Sequence, residues 1–130
     1  MNTRMDIVIH IGPEFISPPP PTSGPATGAV ATFLGTIRAS ENGAPIGGLH
    51  YEAYQPMAET VMREIVEKLG QSHPCQSVRV QHRTGPVRVG EAAIYIEVHA
   101  AHRAEAFALL AGFMDRLKQD VPIWKTDVIS

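Results

Sequence analysis

Lys118 and Lys125 stand seven residues apart in the stretch Lys118-Gln-Asp-Val-Pro-Ile-Trp-Lys125, with a proline and the chain's only tryptophan between them. Proline cannot continue a helix, so the spacing predicts a helix that stops by Pro122 and an extended segment that carries the second lysine. Two ammonium groups held in this way can converge on one anionic ligand. Three further cations fall at the predicted ends of elements: Arg38 after an apolar run, and His102 with Arg103 at a helix start. A lysine at a helix end complements the macrodipole, and an arginine at a strand end is readily solvated. His102 and Arg103 differ, because cations at a helix N-terminus oppose its dipole at a cost of roughly a few tenths of a kcal/mol. A bound anion would remove the conflict, since helix-start N–H groups and an arginine fork can share one phosphate.

Other chemistries find less support. The single Cys75 excludes an internal disulfide and any multi-cysteine metal or iron–sulfur site. It lies in the connector Ser72-His-Pro-Cys-Gln76, without the helix N-terminus or cationic neighbours that favour a thiolate, so a structural cysteine is expected and persulfide transfer through it is disfavoured. His99-x-x-His102, with His82 or His50, invites a metal reading. The first histidine falls in a strand pattern and the second at a helix start, with no acidic or cysteine ligand at usual spacing, so hydrogen-bonded histidines and no metal are expected. There is no Gly-x-Gly-x-x-Gly, Walker loop, Gly-x-Ser-x-Gly or His-Glu-x-x-His.

The elements that must position these cations fit one domain over residues 1–130. At 44% hydrophobic and 18% charged residues the composition is that of an ordinary globular protein, and a formal net charge of −2 argues against general nucleic-acid binding. No apolar run approaches the roughly 18 residues of a membrane helix. Met1-Asn-Thr-Arg-Met-Asp6 leads into a strand pattern and not a signal-peptide core, so a cytoplasmic location without membrane partners is expected.

Ile7, Ile9 and Ile11 alternate with Val8 and His10 as a first strand. Residues 13–25, with four consecutive prolines at Pro18 to Pro21, form a stiff connector. Gly28 to Ile37 reads as a strand covered on both faces, and Ala39 to Gly48 as a mobile loop turning at Asn42-Gly43. A strand from Leu49 to Tyr54 precedes Pro56, which suits a helix start. The helix from Met57 is expected to bury Met57, Ala58, Val61, Met62, Ile65, Val66 and Leu69 and to stop at Gly70. Ser77 to Arg83 and Ala92 to Ala100 read as strands joined through Gly85 to Gly90. A second helix spans Ala101 to Lys118 with Phe107, Leu110, Met114 and Leu117 toward the core, and Ile123 to Ile129 is extended. Helices interleaved with strand pairs give an α+β domain: a mostly antiparallel sheet with two long helices on one face.

From about Gly28 to Lys125 the chain resembles the large, catalytic subunit family of molybdopterin synthase. The matching stretches are Gly28-Ala-Val-Ala-Thr-Phe-Leu-Gly-Thr-Ile-Arg38, Leu49-His-Tyr-Glu-Ala-Tyr54, His82-Arg-Thr-Gly85, Ala101-His-Arg103 and Pro122-Ile-Trp-Lys125. Each is modest alone; in this order and spacing they are specific. The resemblance implies an α/β-hammerhead-type fold and a homodimer flanked by two small ubiquitin-like sulfur-carrier subunits, a heterotetramer in all. It implies transfer of sulfur from the small subunit's C-terminal thiocarboxylate to cyclic pyranopterin monophosphate, forming the dithiolene of molybdopterin, with no cofactor of its own. Carried over by motif, Lys118 and Lys125 match the essential lysines and Arg38 a substrate-binding arginine. Thr36 and Ile37 supply contacts beside it, and Phe33 and Met114 correspond to pocket positions. His102 and Arg103 match residues that reach the neighbouring subunit's pocket.

The chain departs from the family at three places. Ala100 stands where serine is common, which predicts a lost helix cap at a cost of about 1 kcal/mol. Thr126 and Asp127 replace a basic residue and glutamate; both are retained in the substrate-binding set, Asp127 keeping its charge on a shorter arm. The chain ends at Ser130, earlier than many members, and its proline connector stands in place of a longer segment. The alternative to an enzyme is a non-catalytic anion-binding or scaffold homologue that has lost productive docking.

Overall fold

The computed structural model describes residues 5–130. The beginning of the stretch read as lacking a signal-peptide core, residues 1–4, lies outside them. Eleven elements follow one another: β1 (Asp6–Gly12), β2 (Ala29–Thr36), β3 (Ser40–Glu41), β4 (Ala44–Pro45), β5 (Gly48–Ala53), α1 (Met57–Ser72), β6 (Ser77–Arg83), β7 (Gly85–Arg88), β8 (Ala92–Ala100), α2 (Arg103–Asp120) and β9 (Ile123–Ile129). The α+β expectation is met. A four-stranded sheet runs β1-β6-β8-β2, a three-stranded sheet runs β7-β5-β9, and β3 pairs with β4. All pairings are antiparallel except β1 with β6. No helix among the described residues is long and apolar enough to cross a membrane.

Period-two alternation decides which strand face is buried. Val78 and Val80 of β6 and Ile94, Ile96 and Val98 of β8 point into the core, where Ala58, Met62, Ile65 and Val66 of α1 and Ala106, Leu109 and Phe113 of α2 meet them. A smaller cluster of Ile37, Leu49, Val87 and Ala93 joins the two large sheets.

Several expectations are corrected. β2 is an edge strand whose outward residues Val30 and Leu34 are exposed, because only one of its sides and one of its faces find partners within the chain. The segment after it is not an unstructured loop: Asn42 and Gly43 carry positive φ of 52° and 82°, as a two-residue hairpin turn requires, and β3 and β4 pair around them. Gly70 does not end α1, which continues to Ser72; the glycine instead admits the tip of Met5, which a Cβ would meet at 2.6 Å. Met57 is exposed at the start of that helix. Residues 85–88, expected in a connector, form β7 by pairing with β5.

The second helix begins two residues later than expected and extends to Asp120, with His102 in the extended N-cap position. Ala100 is therefore not a lost cap: it is the fully buried last residue of β8. Phe107, expected in the core, is exposed, while Phe113 is fully buried. The row 106, 109, 113 faces the sheet, with Leu110, Met114 and Leu117 at its margin.

Candidate active site

One cavity, of about 470 Å³, opens where the ends of the two large sheets meet the last turns of α2. Thr36 and Ile37 reach it from the end of β2, Met114 and Lys118 from α2, and Lys125 from β9. Five residues singled out by sequence thus share one wall, although they come from three separate segments. Lys118 sits in the last turn of α2, where its charge suits the helix dipole. Pro122 ends that helix and the chain re-enters as β9, so Lys125 returns beside it.

Two register shifts shape this corner. Along the β5–β9 ladder Tyr51 pairs with Lys125 and His50 with Asp127, so Thr126 is the extra residue of a bulge. Along β2–β8, Gly35 pairs with Ile94 and Thr36 with Ala92, which leaves Ala93 as the extra residue. Both disruptions lie at the cavity, where such bulges re-aim side chains. Gly35 is needed there, since a Cβ would stand 2.7 Å from Ile94 Cγ2.

Three residues that sequence reasoning did not place at the site belong to it. Glu41, in the hairpin, approaches Lys125 Nζ to 3.4 Å through Oε1. Tyr51 and His82 line the cavity, their rings edge to face at 5.3 Å. Burial raises the pKa of Tyr51, reinforced by the charge of Glu41, so it remains a phenol. His82 is only 6% exposed, and its Nδ1 lies 2.8 Å from the Arg83 carbonyl oxygen. That oxygen can only accept, so Nδ1 carries the proton and Nε2 keeps its lone pair. Burial lowers the pKa of this histidine, against a smaller raising effect of the Arg83 carbonyl, and favours the neutral ring. The sequence signals for Tyr51 and His82 were the Leu49-His-Tyr-Glu-Ala-Tyr54 and His82-Arg-Thr-Gly85 matches, which assigned them no role, and Glu41 had none.

The remaining sequence-derived residues lie elsewhere. Arg38 is exposed next to Ile37 and does not line the cavity. Phe33 packs against the main core, because the alternation of β2 turns it toward the helices. Thr126 turns its hydroxyl to His50 Nδ1 at 3.0 Å, and the Asp127 carboxylate accepts from the Val128 N–H at 2.8 Å, so neither reaches into the cavity. His102 and Arg103 are exposed at the opposite end of α2 from Lys118, roughly 22 Å away at 1.5 Å per helical residue. His102 is partly compensated by Glu105, 3.7 Å away in the first helical turn.

Cys75 lines a different cavity, of about 500 Å³, with Arg63 and Glu67. Its thiol faces the carbonyl oxygens of His73 and Glu105, and burial, with the charge of Glu105, pushes its pKa up to about 11. That makes it a poor nucleophile. The histidines of the metal reading are dispersed: His99 is bound to Glu97 at 2.6 Å and His50 to Thr126. Among the described residues no three His, Cys, Asp or Glu side chains gather as a metal site would need.

Comparison with known proteins agrees with this architecture. The family model described as "MoaE protein" matches residues 18–120. The molybdopterin synthase catalytic subunit of Homo sapiens is 42% identical over 104 residues, which are 80% of this chain and 55% of the human protein. The chain thus spans about half the length of the mammalian relatives it matches. The crystal structure of molybdopterin synthase from Staphylococcus aureus superposes with a TM-score of 0.80 at 31% identity, covering 100% of this chain and 93% of that one. A structure from Helicobacter pylori, a complex of subunits 1 and 2 of molybdopterin-converting factor, shares the fold with a TM-score of 0.67 at 24% identity, over 80% of this chain and 71% of that chain. With four-fifths of its length matched by the family model and relatives above 40% identity, the chain belongs to the MoaE protein family.

Proposed function

We propose that this chain is the sulfur-transferring subunit of a molybdopterin synthase, acting in the cytoplasm without a metal or organic cofactor of its own. Its substrate is cyclic pyranopterin monophosphate, and its sulfur donor is the C-terminal thiocarboxylate of a small ubiquitin-like subunit. The observation that carries this reading is the convergence of Lys118 and Lys125 on one cavity with Thr36, Ile37 and Met114. The substrate bears a phosphate and the acyl transfer passes through anionic oxygen or sulfur, so fixed cations stabilise both the bound state and the charge that develops. Arg38, beside the cavity, adds a further cation for the phosphate.

The active form is a homodimer flanked by two small subunits. His102 and Arg103 cannot serve the cavity of their own chain, being exposed at the far end of α2, and are assigned to the cavity of a second copy. Val8, Val30 and Leu34 are exposed on the face of the four-stranded sheet turned away from the helices, as suits a chain that works in an assembly. The human and Staphylococcus aureus relatives bear the molybdopterin synthase name, and the Helicobacter pylori relative is a two-subunit complex.

The test is reconstitution. Purified chain, a thiocarboxylated small subunit and cyclic pyranopterin monophosphate should together yield the dithiolene, detected as its oxidised fluorescent derivative. Binding of both ligands without any product would overturn the enzymatic reading in favour of a scaffold.

A further inference from the structure

The row of core-facing residues on β6 reads Val78, Val80, His82, and its last place, at the cavity, is taken by an imidazole that is 94% buried. Its orientation is fixed twice, by the Arg83 carbonyl at Nδ1 and by the edge-to-face contact with Tyr51. Nε2 has no hydrogen-bond partner among the described residues, and His82 lines the same cavity as Lys118 and Lys125. Nε2 is not among the sealed side-chain atoms of the core, so a ligand or water in the cavity can reach it. The titratable groups packed around it are Tyr51 from β5, Lys118 from α2 and Lys125 from β9, the last in contact with Glu41.

We propose that His82 is the proton acceptor of this cavity, its Nε2 taking a proton from the water that frees the carrier's acyl group from sulfur already attached to the pterin. The inference rests on the sulfur-transfer reading above. Sulfur that arrives on an acyl carbon and stays on the pterin leaves an acyl–sulfur bond to be broken. Water adds through its oxygen to the acyl carbonyl while one of its protons passes to Nε2. The carbon–sulfur bond then breaks, the electron pair remaining on sulfur as a thiolate, and the carrier departs as a carboxylic acid that loses its proton to solvent. His82 returns its proton to solvent as well, so each cleavage consumes one water and releases two protons. Among the cavity side chains the lysines and the Trp124 indole N–H are donors, and Tyr51 holds its proton. The lone pair on Nε2 is the acceptor that needs no prior ionisation.

The test follows a single turnover in the reconstituted complex by mass spectrometry, beside an imidazole ¹⁵N titration of His82. His82→Gln should accumulate pterin still joined through sulfur to the small subunit, with cleavage slowed by about 10²-fold or more and the first attachment little changed. The wild-type cleavage rate should fall toward low pH with the midpoint that the ¹⁵N signal gives for His82. That profile tests the idea even if the variant fails to fold. An active wild type whose cleavage rate ignores that midpoint, or a folded His82→Gln that accumulates nothing, overturns the role of His82 and leaves the sulfur-transfer reading standing. A wild type that forms no pterin–carrier adduct overturns both.

Discussion

Lys118 has no ion pair among the described residues, whereas Lys125 is held by Glu41 beside the cavity. Both side chains are exposed, so Lys118→Ala and Lys125→Ala should leave stability within about 0.5 kcal/mol of the wild type. Dithiolene formation should nearly vanish in Lys118→Ala, if the proposed role toward the entering carrier tail holds, while Lys125→Ala should lose both substrate affinity and rate. Preserved turnover in both folded variants would remove the lysines from the mechanism. Glu41→Gln breaks a half-exposed ion pair worth at most about 1 kcal/mol, so KM for the pterin should rise by no more than about fivefold, with kcat little affected. His82 also sets a pH dependence. Its folded pKa lies below the ordinary value of 6.5, so the unfolded chain binds the proton more readily. Stability is therefore full above pH 6.5 and declines as the pH falls below it. Urea unfolding at pH 7.5 and pH 5.5 should show a loss that is smaller in His82→Gln; an equal loss in the variant would assign the effect to other groups.

Strands and turns around the cavity carry its shape. Ile123, Trp124 and Lys125 pair in unbroken register with Ala53, Glu52 and Tyr51, and the bulge at Thr126 puts Asp127 to Ile129 one step out of phase with them. The β3–β4 hairpin places Glu41 within reach of Lys125, and it depends on Gly43 at φ 82°. Gly43→Val puts a β-branched residue in the left-handed region at a cost of roughly 1–2 kcal/mol. Hydrogen exchange at Ser40 to Pro45 should then speed up while exchange in β6 and β8 stays unchanged; protected hairpin amides in the variant would contradict the turn assignment. In α2, Phe113 is fully buried between the sheet and α1, and Phe113→Ala should cost about 3–5 kcal/mol in chemical denaturation, whereas Phe107→Ala should cost little.

At the scale of the whole molecule, the distance between Arg103 and Lys118 along one rigid helix decides how the site is completed. Arg103 stands roughly 22 Å along α2 from Lys118, too far to reach that lysine's cavity, and the proposed function therefore assigns it to a second copy. Arg103→Ala and Lys125→Ala subunits should each be impaired alone, yet their heterodimer should recover part of the activity, because one composite site is intact. Verified heterodimers without recovery would confine the working site to a single chain.

Much of this was legible in the residues themselves. Proline and glycine punctuation, period-two and period-3.6 patterning and the Asn42-Gly43 pair are local signals, and they located both helices, the hairpin turn and the re-entry after Pro122 that returns Lys125 beside Lys118. Local pattern could not choose between two neighbouring rows of α2, since 106, 109, 113 and 107, 110, 114 are both helical faces and contact with the sheet selects one. It could not bring Glu41 to Lys125, 84 residues away, or seat Tyr51 against His82, because those meetings arise from strand pairing between distant segments. Nor could it show that β2 would remain an edge, which depends on how many strands the chain has left to place beside it. Sequence determined which residues could do chemistry; tertiary structure decided which of them share a cavity, because only packing fixes the distance between groups that no local periodicity connects.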